Sequence, residues 1–124
     1  MFQILKNTAA VAAKSSVFDR FVKLLEDEDG QQPGILRILT YHRIDEPTRC
    51  PRLDPGLISA TPKEFVKQMA YLSQHYQMLT VGDVLAALAS QNKKDLPPRA
   101  VLVTFDDGYC DFEERAWPDR KSVV

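Results

Sequence analysis

The feature that most constrains the fold is a six-residue apolar run that ends on two adjacent carboxylates. Residues Ala100–Phe105 read Ala-Val-Leu-Val-Thr-Phe, and Asp106, Asp107 and Gly108 follow directly. An apolar run without polar alternation is typical of a strand that is buried on both faces, as in the middle of a parallel sheet. We therefore predict a central parallel strand whose carboxyl end carries the acidic pair.

The other predicted elements alternate between strands and helices. A second apolar run, Ile35–Tyr41, predicts a buried strand that ends abruptly at His42. Two helices are predicted to begin after the capping residues Thr61 and Thr80, with a brief strand at Met78–Leu79 between them. The order strand, helix, strand, helix, strand indicates an α/β fold with a parallel sheet.

Three further segments are distinguished by composition and periodicity. Residues 1–33 contain an amphipathic stretch followed by an acidic run and a Gly/Pro/Gln linker, which predicts an N-terminal helical appendage and linker before a domain at 34–124. Residues 45–59 hold three prolines and one glycine without a period, and we predict a long loop there. Residues 111–117 predict the start of a helix after the acidic pair.

Charge and hydropathy exclude two classes of partner. Sixteen Lys and Arg residues against seventeen Asp and Glu residues leave a formal net charge of −1, so no field of either sign recruits nucleic acid. No apolar run approaches the roughly 18 residues of a membrane span. The first residues also lack the charge pattern of a secretory signal. We therefore predict no nucleic-acid partner and no transmembrane segment. The location stays open, and the lack of a signal pattern favours the cytoplasm.

The acidic pair and one histidine are the candidate functional residues. Adjacent carboxylates after a buried strand repel one another unless their negative charge is neutralised, and a divalent cation usually does this. Neighbouring side chains diverge in a strand, so Asp106 and Asp107 could do different tasks, although a solvent-exposed helix cap is the simpler alternative. His42 also ends a predicted strand. If the two strands are neighbours, all three side chains face one crevice, where α/β folds bind ligands.

The segment Thr104–Tyr109, preceded by Leu96-Pro97 and an apolar strand, resembles the first motif of the polysaccharide deacetylase family, the NodB-homology domain of carbohydrate esterases. The strand end Leu39–Ile44 is similar to the envelope-polysaccharide branch of that family. The resemblance covers roughly residues 35–118. It implies a partial (β/α) barrel of the distorted TIM-barrel type, with residues 34–124 as the N-terminal portion of the domain and its C-terminal side missing.

The resemblance also implies a reaction and a role for each candidate residue. Asp106 matches the catalytic base, Asp107 the metal-ligating aspartate and His42 the general acid. The implied reaction is a metal-dependent removal of N-acetyl groups from an amino-sugar polysaccharide, with zinc, cobalt or nickel as the divalent metal. The family often acts at the cell envelope.

The sequence departs from the family pattern at the metal site. The family adds two histidines in a His-x-x-x-His motif downstream of the Asp-Asp-Gly loop, whereas this chain has only His42 and His75. We therefore predict a truncated copy with an incomplete site. The alternative is a non-catalytic fragment whose open sheet edge is covered by a complementing chain. Phosphoryl transfer through an aspartyl nucleophile is disfavoured because such sites generally separate the two aspartates by one residue.

Overall fold

A three-stranded parallel sheet lies at the centre of the computed structural model, which describes residues 16–26, 34–49, 51–92 and 95–118. The strands in chain order are β1 (Leu36–Tyr41), β2 (Arg43–Ile44), β3 (Ile58–Ala60), β4 (Gln77–Met78) and β5 (Ala100–Phe105). The sheet order is β1-β5-β4, and both neighbours run parallel to β5. This confirms the predicted α/β class and the central position of Ala100–Phe105. Three strands do not close a barrel, so the implied TIM-type barrel stays a prediction.

A second, two-stranded parallel sheet pairs β2 with β3. The long loop predicted over residues 45–59 is present in its described part as far as Leu57, and only its last two residues belong to β3. That segment also contains a single 3₁₀ turn at Pro55–Leu57. A strand of three residues is too short to show a period, and it is stabilised by its partner strand rather than by its own sequence. The predicted end of the first strand at His42 is confirmed, because that residue separates β1 from β2.

The helices begin where the sequence places capping residues. They are α1 (Val17–Leu25), α2 (Pro62–His75) and α3 (Val81–Ala89). Thr61 and Thr80 form the predicted caps, each in a reciprocal capping box with the third helical residue. The predicted helix after the acidic pair is present, but Phe112–Ala116 are π-helical. In the described ranges no helix combines the length and apolarity needed to cross a bilayer.

Both faces of β5 are buried, each against its own cluster of apolar side chains. Val101 and Val103 face a larger cluster that contains residues of α1 and α2, whereas Ala100 and Leu102 face a smaller one. The smaller cluster also includes Val84 of α3. Burial on both faces is the physical reason why the sequence of this strand lacks polar alternation.

Helix α1 packs against α2, and an ion pair links its C-terminal end to Arg99. Leu25 is fully buried in the larger cluster, and the rings of Phe18 and Phe21 contact Tyr71. Glu26 caps the end of α1 and forms an ion pair with Arg99. The predicted boundary between residues 33 and 34 falls at the edge of residues that the structure does not describe, and it stays a prediction.

Glu26 is expected to make stability depend on acid pH. Its hydrogen bond to Arg99 lowers the pKa of the carboxyl from 4.5 to about 2, burial opposes that shift, and hydrogen bonds from two tyrosine hydroxyls add to it. Because the folded-state pKa lies below the unfolded one, the contribution is fully present above pH 4.5 and is lost as the pH falls towards 2. After allowance for solvent screening it amounts to about 1 kcal/mol.

The measurement is urea denaturation of the wild type and Glu26→Gln at pH 6 and at progressively lower pH. We expect the stability difference between the two proteins to shrink as the pH falls below 4.5. Glu113→Gln removes an exposed carboxylate elsewhere and serves as the control. A difference that is constant over this range would contradict the role given to Glu26.

Candidate active site

The candidate site lies where the neighbouring strands β1 and β5 end. Tyr41 and Phe105 are the last paired residues of the two strands, and His42 and Asp106 follow them. The Asp106 N–H donates to the Tyr41 carbonyl at 2.9 Å, which extends the ladder by one residue. On the other side, the His42 N–H donates to Ser59 Oγ at 2.9 Å. Both functional segments are therefore fixed through their backbones.

Asp106, Asp107 and His42 lie together at the ends of β1 and β5, as expected if their strands are neighbours. We refer to the space between these three side chains as the strand-end crevice. His42 Nε2 lies 4.0 Å from Asp106 Oδ2 and 4.0 Å from Asp107 Oδ2. These distances exceed a direct hydrogen bond but place both carboxylates close to the same ring nitrogen. The side chains are accessible, with exposed fractions of 40% for His42 and 56% for each aspartate.

The expectation that the two aspartate side chains diverge is corrected by the backbone after β5. Asp107 has a φ of 68° and Gly108 a φ of 60°, so both lie in the left-handed region. The strand ends at Phe105, and this turn replaces the strand geometry on which the expectation rested. Both carboxylates consequently reach the same histidine.

A packed aromatic layer lies under the site. The Tyr41 ring contacts the rings of Phe65 and Phe105 at centroid distances of 5.3 and 5.5 Å. The Tyr41 hydroxyl donates to Gln68 Oε1 at 2.6 Å, and burial raises the pKa of this phenol far above its ordinary value. Tyr41 therefore supports the strand end structurally and presents no ionisable group to the crevice.

A buried network of four charged side chains lies beside the site, and no motif in the sequence predicts it. It consists of Arg43 and Asp45 after β1 together with Asp111 and Arg115 after the acidic pair. Arg43 donates to Asp45 at 2.9 Å, and the Arg43 Nε lies 3.5 Å from Asp111 Oδ2. The sequence does show charged residues beside the two candidate motifs. It does not show which of them form ion pairs, because the partners are far apart along the chain.

Asp45 is one of the two enclosed carboxylates of this network. Its side chain is 5% exposed and accepts hydrogen bonds from Arg43, Arg115 and the Glu46 N–H. Burial opposes ionisation, but these hydrogen bonds and the two guanidinium charges hold the pKa of the Asp45 carboxyl below its ordinary value. Asp45 is therefore a buried anion between two cations.

The residues that the structure describes do not form a complete metal centre. Within those ranges, no group of three or more His, Cys, Asp or Glu side chains is arranged to hold a metal ion. A catalytic zinc centre takes about three protein ligands. The second histidine, His75, ends α2 and packs its ring on Tyr71 at 4.4 Å. Asp107 and its neighbours alone therefore do not fit a catalytic metal ion.

A carboxylate and an imidazole at the ends of two neighbouring strands are suited to moving protons. A carboxylate accepts a proton from an attacking nucleophile, and an imidazolium donates one to a leaving group. The roles themselves stay predictions.

Known proteins whose sequences are similar to this chain are named as deacetylases. The chain is 34% identical over 89 residues to the Bacillus subtilis (strain 168) protein YxkH, named as a polysaccharide deacetylase, and the match covers 71% of this chain and 28% of YxkH. It is 28% identical over 96 residues to the poly-beta-1,6-N-acetyl-D-glucosamine N-deacetylase of Escherichia coli (strain K12), covering 77% of this chain and 13% of that protein. No protein-family model matches the chain.

A solved structure gives the same indication. The Streptococcus pyogenes deacetylase PplD, solved in complex with acetate, superposes with a TM-score of 0.55 at 31% sequence identity. The match covers 69% of this chain and 37% of PplD. The chain thus spans less than a third of the curated relatives it matches and little more than a third of PplD.

Proposed function

We propose, on the premise that this chain carries a segment of the polysaccharide deacetylase family, that its strand-end crevice acts in the removal of N-acetyl groups from an amino-sugar polysaccharide. The observation that carries the proposal is the meeting of His42 with Asp106 and Asp107 at the ends of two adjacent parallel strands. A polymer of N-acetylglucosamine is the substrate class that the relatives suggest.

Asp106 and His42 have complementary roles in this reaction. As a water molecule attacks the amide carbonyl, Asp106 accepts its proton and a new carbon–oxygen bond forms. The carbon–nitrogen bond then breaks, and His42 gives a proton to the departing amine. The products are acetate and a free amino sugar. The two groups lie close enough, with His42 Nε2 4.0 Å from Asp106 Oδ2, for both to reach one bound amide.

Asp107 is proposed as one ligand of a divalent ion, zinc, cobalt or nickel. Such an ion would polarise the carbonyl and lower the pKa of water when bound. The described residues do not complete its coordination, and the proton transfers given to Asp106 and His42 do not depend on it. In the same proposal, the three-stranded sheet is part of a distorted (β/α) barrel.

One observation favours a second candidate function. In the described sheet β1 and β4 are edge strands, each paired on one side only. An unpaired edge invites another strand, so the chain would act as a non-catalytic fragment that binds a complementing partner. The molecular mass measured by light scattering distinguishes this candidate, because a chain bound to a partner or to a second copy has a mass above that of the monomer.

The proposed function is tested by acetate release from poly-beta-1,6-N-acetylglucosamine with zinc, cobalt or nickel added. Because the described residues supply few metal ligands, we expect slow release, and the ratio between variants is the informative quantity. Asp106→Asn should lower the rate by at least about 10²-fold, because it removes the proton acceptor. Asp83→Asn, at the cap of α3, is the matched control. No release, or release that Asp106→Asn leaves unchanged, would contradict the proposal for this chain.

A further inference from the structure

We infer that Asp111 is a positioning residue that sets His42 against the acidic pair. The inference rests on the proposed function, because it assigns His42 a place in the reaction. Asp111 lies four residues after Asp107, and only 3% of its surface is exposed. It lies in neither of the motifs that form the crevice, yet it contacts the segment that follows His42.

The contacts of Asp111 hold the chain just after His42. Asp111 Oδ2 accepts a hydrogen bond from the Ile44 N–H at 2.9 Å, and the same oxygen lies 3.5 Å from Arg43 Nε. Ile44 is two residues beyond His42 and is itself buried. One carboxylate therefore binds both residues that follow the histidine.

Arg115 completes the attachment from the same helical segment. It donates to the Ile44 carbonyl at 3.1 Å and forms an ion pair with Asp45. Both backbone polar groups of Ile44 are therefore bonded to side chains that follow the acidic pair. The Arg43 guanidinium also lies 5.4 Å from the centre of the Tyr109 ring, which belongs to the turn after Asp107.

These contacts act on the opposite side of His42 from its other anchor. The His42 N–H is bonded to Ser59, whereas the chain after it is bonded to Asp111 and Arg115. His42 is thus fixed at both flanks, and one flank is attached to the helical segment that directly follows the loop of Asp106 and Asp107. A displacement of about 1 Å at a reacting group costs up to 10²-fold in rate. Loss of the Asp111 contacts would permit a displacement of that kind.

Nuclear magnetic resonance of the full chain tests the inference at a fixed pH. The imidazole signals of His42 are identified by comparison with His75→Asn. Asp111→Ala removes both contacts, whereas Asp111→Asn keeps an acceptor for the Ile44 N–H and loses the charge that faces Arg43. We expect His42 signals to move most in Asp111→Ala and less in Asp111→Asn, with His75 signals unmoved. Val84→Ala, in the smaller core cluster, is the control for destabilisation alone.

Two outcomes overturn the inference, and both are distinct from failure of the proposed function. His42 signals that stay in place in a folded Asp111→Asn protein overturn it, as does a shift of equal size in Val84→Ala. Where the wild type releases acetate, Asp111→Asn should lower kcat by about 10-fold or more with KM unchanged, because positioning acts on the transition state. An inactive wild type whose His42 signals respond to Asp111 contradicts the function and supports the positioning contact.

Discussion

Asp45→Ala is expected to lower the free energy of unfolding by about 3–5 kcal/mol, because it leaves two guanidinium groups next to an empty buried position. Arg43 is 5% exposed and Arg115 15% exposed, so neither cation regains full hydration when its partner is removed. The substitution also removes the acceptor for the Glu46 N–H. Chemical denaturation followed by circular dichroism gives the midpoint and the slope from which the loss is obtained.

Asp45→Asn is the informative companion, because it keeps acceptor atoms and removes only the charge. We expect an intermediate loss. Glu46→Ala is the matched control, since it truncates the adjacent exposed carboxylate and should change stability by no more than about 0.5 kcal/mol. A loss below about 1 kcal/mol for Asp45→Ala would show that the network contributes little to the folded state.

Phe65→Ala is expected to have a comparable effect through packing rather than charge. The side chain is fully buried, and its ring contacts those of Tyr41 and Phe105 at 5.3 and 5.8 Å. Removing a phenyl group from such a position costs about 3–5 kcal/mol, as lost transfer free energy and as the free energy of the cavity left behind. Because these two partners end β1 and β5, the substitution also loosens the support beneath the candidate site.

The neighbouring residue on α2 supplies the control for Phe65. Val66 is 46% exposed, so Val66→Ala should change stability by no more than about 0.5 kcal/mol. Thermal unfolding of both variants at one pH measures the contrast. Equal losses for the two variants would mean that α2 does not present the face that the structure gives it.

The elements with strong local signals were predictable from the sequence. The apolar run at 100–105 predicted strand β5, and the capping residues Thr61 and Thr80 predicted the starts of α2 and α3. Each of these signals depends on residues that are neighbours along the chain, so no tertiary information was needed. The meeting of His42 with the acidic pair was also predictable, because parallel strands bring their carboxyl ends to one edge.

The features that the sequence did not predict depend on contacts between distant residues. Strand β3 exists because β2 pairs with it, and the Arg43–Asp111 ion pair joins residues from two separate motifs. The left-handed backbone of Asp107 was not predicted for a different reason, since non-glycine residues seldom adopt this conformation. In all three cases tertiary structure decides a local conformation.

The order of strands in the sheet has a consequence for how the chain acquires its structure. The middle strand, β5, is the last of the three to be synthesised, and it pairs with β1 in a register that joins residues 64 positions apart. Until Phe105 has left the ribosome, neither β1 nor β4 can pair with β5, the strand that lies between them in the sheet. Such long-range parallel pairing makes folding slow and leaves apolar strands exposed in the meantime. The sheet of the nascent chain can therefore form only after its last strand, the one that ends on the acidic motif, has been made.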